Sequence, residues 1–180
     1  QKDLCELVHF GLTSQDVNSV AISFSLSSWK KEHFIPELTN LIRVLSQFGK
    51  ENENVAMMAR THGQPATPTR LGKEILVFKE RLQNQLDKLQ TIQLSAKFGG
   101  ATGGLNAHAI AYPEYNWISL MNEFIAGFEL KRSQYTTQID HNDSLSELFD
   151  CLKRINVILI DLCRDFWQYI SMDYFKLKTV

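Results

Sequence analysis

The sequence predicts an all-α fold: an elongated bundle of long helices that oligomerises through the bundle. Two observations carry this reading. Three long stretches hold apolar residues at a three-four spacing, and two of them open on a residue pattern that caps helices.

Residues 1–12 carry Leu4, Leu7, Val8, Phe10 and Leu12 and are broken by Gly11, so they read as the end of a helix from a preceding domain. Thr13 and Asp16 have capping-box spacing, which starts the first long helix. Its stripe runs through Val17, Val20, Phe24, Phe34, Ile35, Leu38, Leu41, Ile42, Leu45 and Phe48 to Gly49. Pro36 lies inside it, removes a backbone donor and crowds the preceding turn, so a kink is expected near His33. Lys50 to Asn54 is a polar connection, and Arg60 to Thr69 is read as a polar loop stiffened by Pro65 and Pro68. The second long helix is expected from about Thr67 with Pro68 at its first position. Its stripe is Leu71, Ile75, Phe78, Leu82, Leu86, Leu89 and Ile92, ending at Gly99-Gly100.

The glycine-rich segment Gly99 to His108 follows a helix rather than a strand and lacks the order of a dinucleotide fingerprint, which argues against such a site. Pro113 to Phe128 reads as a short aromatic helix, and Glu129 to Asp140 as an irregular or extended return. Ser144 and Glu147 make a second capping box, and Leu145, Leu148, Leu152, Ile155, Leu159, Leu162, Phe166, Tyr169 and Ile170 carry the third helix to about Phe175. No linker or repeat divides the chain, so residues 1–180 are read as a single helical domain.

A helix over about 34 residues is roughly 50 Å long, whereas a compact domain of this size has a radius of gyration of about 16 Å. The expected shape is therefore a rod with apolar surface for other chains to cover. With consecutive helices antiparallel, Thr13-Ser14 and the glycine-rich loop fall at one end and His62 at the other. A site using both would be assembled from neighbouring subunits.

The formal charge of −1, from 19 basic and 20 acidic residues interspersed along the chain, gives no basic face for nucleic acid. Cys5, Cys151 and Cys163 include no C-x-x-C pair, which fits a reducing compartment, the cytoplasm. The apolar run Val157 to Ile160 stops at Asp161, far short of a membrane span. The chain opens at Gln1 without a leader and closes on Lys176 to Val180; it reads as part of a longer protein.

The chemistry is sought at Arg60-Thr61-His62-Gly63-Gln64-Pro65-Ala66-Thr67-Pro68-Thr69. A histidine beside a hydroxyl, an amide and a guanidinium on a stiffened backbone suits acid–base work, and it also suits a helix cap with a surface histidine.

Together, Thr13-Ser14-Gln15-Asp16, the Arg60–Thr69 stretch, the loop Gly99 to His108 and Tyr135-Thr136-Thr137-Gln138-Ile139 resemble the adenylosuccinate lyases of the fumarase/aspartase superfamily, in particular the bacterial form. The resemblance implies the central helical domain of such an enzyme. It implies β-elimination of fumarate from succinylated purine nucleotides in purine biosynthesis, without a cofactor or metal. A homotetramer with shared active sites is implied as well. His62 would be the general acid, suited to it by an imidazole pKa of about 6.5. Thr13 and Ser14 would bind a substrate carboxylate, a role compatible with capping because a helix N-terminus attracts anions. Gln138 would hydrogen-bond the substrate and Thr61 would contact or orient it. The family's serine base sits in an S-S-x-M-P-x-K-x-N run that does not occur here, so the chain alone is expected to be inactive.

Of the remaining histidines, His9 and His33 fall in helical patterns and read as structural; His108 and His141 read as structural too, with a place lining a site as the alternative, and no metal-ligand spacing or nucleophile triad stands out. Two alternatives stay open. One is a non-catalytic helical oligomerisation module; the other is a sister lyase acting on argininosuccinate, fumarate/malate or aspartate.

Overall fold

Helix α1, Ser14–Trp29, begins where the Thr13–Asp16 spacing places it. The computed structural model describes residues 7–178. Leu4, Cys5, Thr179 and Val180 therefore lie outside the described residues. The chain forms two compact units, each built from two separate stretches: residues 7–33 with 92–148, and residues 34–91 with 149–178.

In the first unit, residues 7–9 make a single 3-10 turn rather than a longer helical end. α1 follows and docks on a short parallel pair, β3 (Ser95–Ala96) against β4 (Lys131–Arg132). The Ser23 hydroxyl donates to the Ser95 carbonyl at 2.7 Å, which fixes α1 to β3. The segment between the strands holds the glycine-rich loop and two short helices, α4 (Asn106–Ala111) and α5 (Trp117–Ala126). Val20, Leu94, Phe98, Leu105, Ile125 and Leu130 are buried in this unit.

The second helix is shorter than its apolar stripe suggests: α3 spans Leu71–Thr91. Ile92 and Leu94 are buried, but as part of the extended approach to β3. Periodicity overshot because a buried short strand and a buried helical turn both read as apolar residues.

The expected kink is a π-helical turn, Lys30–Phe34, inserted just before α2 (Ile35–Glu51), which takes Pro36 in its first turn. There the missing N–H of proline costs little, and the wider turn accommodates its ring.

In the second unit α2 packs against α3 through Leu38, Ile42 and Leu45 on one side and Ile75, Phe78 and Leu82 on the other. α6 (Asp143–Ser171) runs into this unit and buries Cys151, Ile155, Ile158 and Leu162. Asp161 accepts from Arg81 at 3.1 Å, and Arg154 Nε donates to Gln85 at 3.0 Å. α6 starts one residue before Ser144, whose hydroxyl instead bonds to the Ser95 N–H and hydroxyl, both at 3.0 Å. The second capping box is therefore not formed.

The expected polar loop is an antiparallel β-hairpin. β1 (Ala56–Thr61) pairs with β2 (Gln64–Arg70), closed by Thr61 opposite Gln64. His62 and Gly63 are the two loop residues, with φ of 50° and 74°, the signature of a type I′ hairpin turn. Pro65 and Pro68 sit in β2, not at a helix start, and β2 tolerates them because a two-stranded sheet has only edges. The described residues are thus mainly helical, as expected, with four short strands added.

Candidate functional site

The Thr13–Asp16 turn does more than start a helix. Asp16 is fully buried, and its Oδ2 accepts from the Thr13 N–H at 2.7 Å and the Thr13 hydroxyl at 2.8 Å. Its Oδ1 accepts from the N–H groups of Gly99 and Gly100 at 2.7 and 3.0 Å and from the ammonium of Lys97 at 2.7 Å. Lys97 is also fully buried and donates to the Gly100 carbonyl at 2.6 Å. Burial alone would raise the Asp16 carboxyl. The Lys97 ammonium and the N–H and O–H donors outweigh it and hold the carboxyl at about 2. One carboxylate therefore clamps the start of α1 to the glycine-rich loop.

That loop in turn meets the return segment. A Cβ placed on Gly103, whose φ is 78°, would stand 2.3 Å from the Thr136 carbonyl oxygen, so the two backbones pack too closely for any side chain there. Arg132 is buried at the base of the segment, where Nε donates to the Phe98 carbonyl at 2.7 Å and Nη1 to Gln134 at 3.1 Å. Burial lowers its pKa while the Asp16 charge opposes this. A cavity of about 900 Å³ opens between the glycine-rich loop and the return segment, lined by Thr102, Gly103, Arg132, Thr136, Thr137 and Asp140 among others. Arg132 and Asp140 supply its charged groups, and Leu105, Ile118 and Ile139 its apolar wall.

Of the expected substrate-binding residues of the first unit, Thr13 is tied through Asp16 to the glycine-rich loop. Thr13 is half-buried with its hydroxyl proton directed at Asp16, Ser14 is exposed at the first turn of α1, and Gln138 is exposed between Thr137 and Ile139, both of which line the cavity. His62 and Thr61 belong to the other unit, exposed at the tip of the hairpin. The Arg60 guanidinium donates to the Gly63 carbonyl at 3.0 Å and braces that tip.

Sequence reasoning passed over Lys97 and Arg132 and took Asp16 for a cap alone. A signal for Lys97 was present, since a lysine between Ala96 and Phe98 in an apolar run must find a buried counter-charge. Arg132 carried none, because an Arg beside a Lys reads as surface. Among the described residues no group of three or more His, Cys, Asp or Glu could hold a metal ion. No helix among them is long and apolar enough to cross a membrane.

A family model described as Lyase matches residues 1–180. The chain belongs to the lyase family, within the fumarase/aspartase superfamily. Adenylosuccinate lyase of Dictyostelium discoideum is 50% identical to this lyase over 179 residues, covering 97% of the chain and 38% of the relative. The enzyme of the same name from Buchnera aphidicola subsp. Schizaphis graminum is 41% identical over 175 residues, again with 97% and 38% coverage. This lyase thus spans under two fifths of the length of the curated relatives it matches. Its fold is shared with beta-carboxy-cis,cis-muconate cycloisomerase from Acinetobacter calcoaceticus, with a TM-score of 0.82 at 22% identity over 94% of this chain and 38% of that one.

Proposed function

We propose that this chain is the central part of an adenylosuccinate lyase. The full enzyme would release fumarate from adenylosuccinate, giving AMP, and from the succinylated aminoimidazole carboxamide ribonucleotide, in cytoplasmic purine biosynthesis. The observation that supports it most is the 50% identity, over nearly the whole chain, to a protein of that name.

In the β-elimination, a base removes a proton from the succinyl carbon next to the C–N bond. That electron pair forms the fumarate double bond, and the C–N pair leaves with the nitrogen, which His62 protonates. Ser14, with the N–H groups of the first turn of α1, would hold a substrate carboxylate. Thr13 belongs to the same carboxylate site and shapes its turn, Gln138 hydrogen-bonds the substrate, and Thr61 contacts or orients it. No residue of this chain is proposed as the base.

The partner is a purine nucleotide substrate and the assembly a homotetramer with shared active sites. Exposed apolar residues on α6, among them Phe149, Ile160 and Trp167, support assembly.

The test is a full-length enzyme carrying His62→Ala. Turnover of adenylosuccinate should fall by about 10²–10⁴, the usual weight of a general acid, while argininosuccinate is not a substrate of the wild type. Near-normal turnover by the variant would sink the acid assignment.

A further inference from the structure

We infer that Asp16, with Lys97 as its counter-ion, is a positioning residue that locks the carboxylate-binding start of α1 to the glycine-rich loop. The inference rests on the reading of that helix start as the place where a substrate carboxylate binds.

Both oxygens of Asp16 are in use, and they serve different elements. Oδ2 takes the N–H and hydroxyl of Thr13, and Oδ1 takes Gly99, Gly100 and Lys97. An asparagine offers one acceptor oxygen, so it could serve the turn or the loop but not both. Holding Thr13 in this way turns its N–H and hydroxyl inward, and leaves an incoming anion the exposed Ser14 and the first-turn N–H groups. The geometry of that anion site is therefore set by a residue that does not touch the anion.

Charge makes the same point. A carboxylate three residues into a helix would repel a dicarboxylate substrate. The fully buried Lys97 cancels it at 2.7 Å, and the buried Arg132 stands beyond the pair on the cavity wall. On that wall Arg132 is matched by the buried Asp140, so the ion pair leaves the start of α1 without the repulsion of an uncompensated carboxylate. A purely structural ion pair would not need its carboxylate split between two elements.

The experiment uses full-length enzyme carrying Asp16→Asn with Lys97→Met, which removes both charges at similar volume and leaves no buried ammonium unpaired. Three quantities are read: KM for adenylosuccinate, inhibition by fumarate, which has only carboxylates, and inhibition by AMP, which has none. Positioning predicts a cooperative melt, a rise of tenfold or more in KM and in the fumarate inhibition constant, and an AMP constant within twofold of wild type. A folded variant with fumarate inhibition unchanged, or with fumarate and AMP weakened equally, overturns the inference. If the double variant does not fold, Thr13→Val removes only one bond to Oδ2 and should show the same selectivity at a smaller amplitude; no selective loss there overturns it too. Ser14→Ala is measured in parallel. If it leaves fumarate inhibition intact while the double variant weakens it, the carboxylate role of Ser14 fails and the role of Asp16 stands.

Discussion

His108 shows what a single residue contributes when it is not at the site. The residue is 1% exposed, and its ring packs edge-on against Phe10 at 5.2 Å and tilted against Trp117 at 4.9 Å. Nδ1 has no hydrogen-bond partner among the described residues. Burial lowers its pKa, with the Phe10 backbone and the Asp16 charge pulling the other way. The unfolded imidazole takes up a proton near pH 6.5, but the buried one does so only at lower pH. Its contribution to stability is therefore complete above about pH 6.5 and drains away as the pH falls. In full-length enzyme, melting temperature should drop from pH 7 to pH 5, and His108→Phe should flatten that slope while matching or exceeding wild-type stability at pH 7. An unchanged slope would show that other groups govern it. The structural reading of His108 was legible from its place in the sequence, whereas Lys97 was not, because a lysine's burial depends on the distant Asp16 that pairs with it.

Among elements, the hairpin is where local pattern misled most. Two prolines before a helical stripe look like a helix start. The stronger signal was the His62-Gly63 pair between two short runs, with Gly63 at a φ of 74°. A Cβ at Gly63 would meet no atom within 4 Å, so Gly63→Ala tests backbone strain alone. It should destabilise by about 1 kcal/mol, read by thermal unfolding of the full-length protein. Turnover should fall further than folding, because the tip carries His62. A loss of stability with turnover unchanged would separate the tip from the chemistry. The long helices were legible because their stripes are unbroken, and their ends were not, because buried extended segments continue the same stripe at Ile92 and Leu94.

For the whole molecule, the decisive surface is α6. Phe149, Ile160 and Trp167 are 55%, 53% and 70% exposed. They stand eleven and eighteen residues apart from the first, close to three and five helical turns, so they share one face. A stripe of that kind is the face on which the proposed assembly is tested. Sedimentation of full-length enzyme carrying Ile160→Glu with Trp167→Glu should show a smaller species than the wild type does, with activity lost in step if sites are shared. Unchanged mass would place the assembly surface elsewhere. Helical period alone could foresee an apolar excess, but which residues stay uncovered depends on how α2, α3 and α6 share their faces within the unit.

The turn at the hairpin tip also sets stability against catalysis. A left-handed φ of 50° at His62 is a conformation that asparagine or glycine takes with less strain. An engineer seeking a hardier hairpin would replace that histidine first, and would remove the proposed proton donor in doing so. On that proposal the chain accepts a less comfortable backbone here for the sake of an imidazole, and a stabilised version of the enzyme has to find its gains elsewhere.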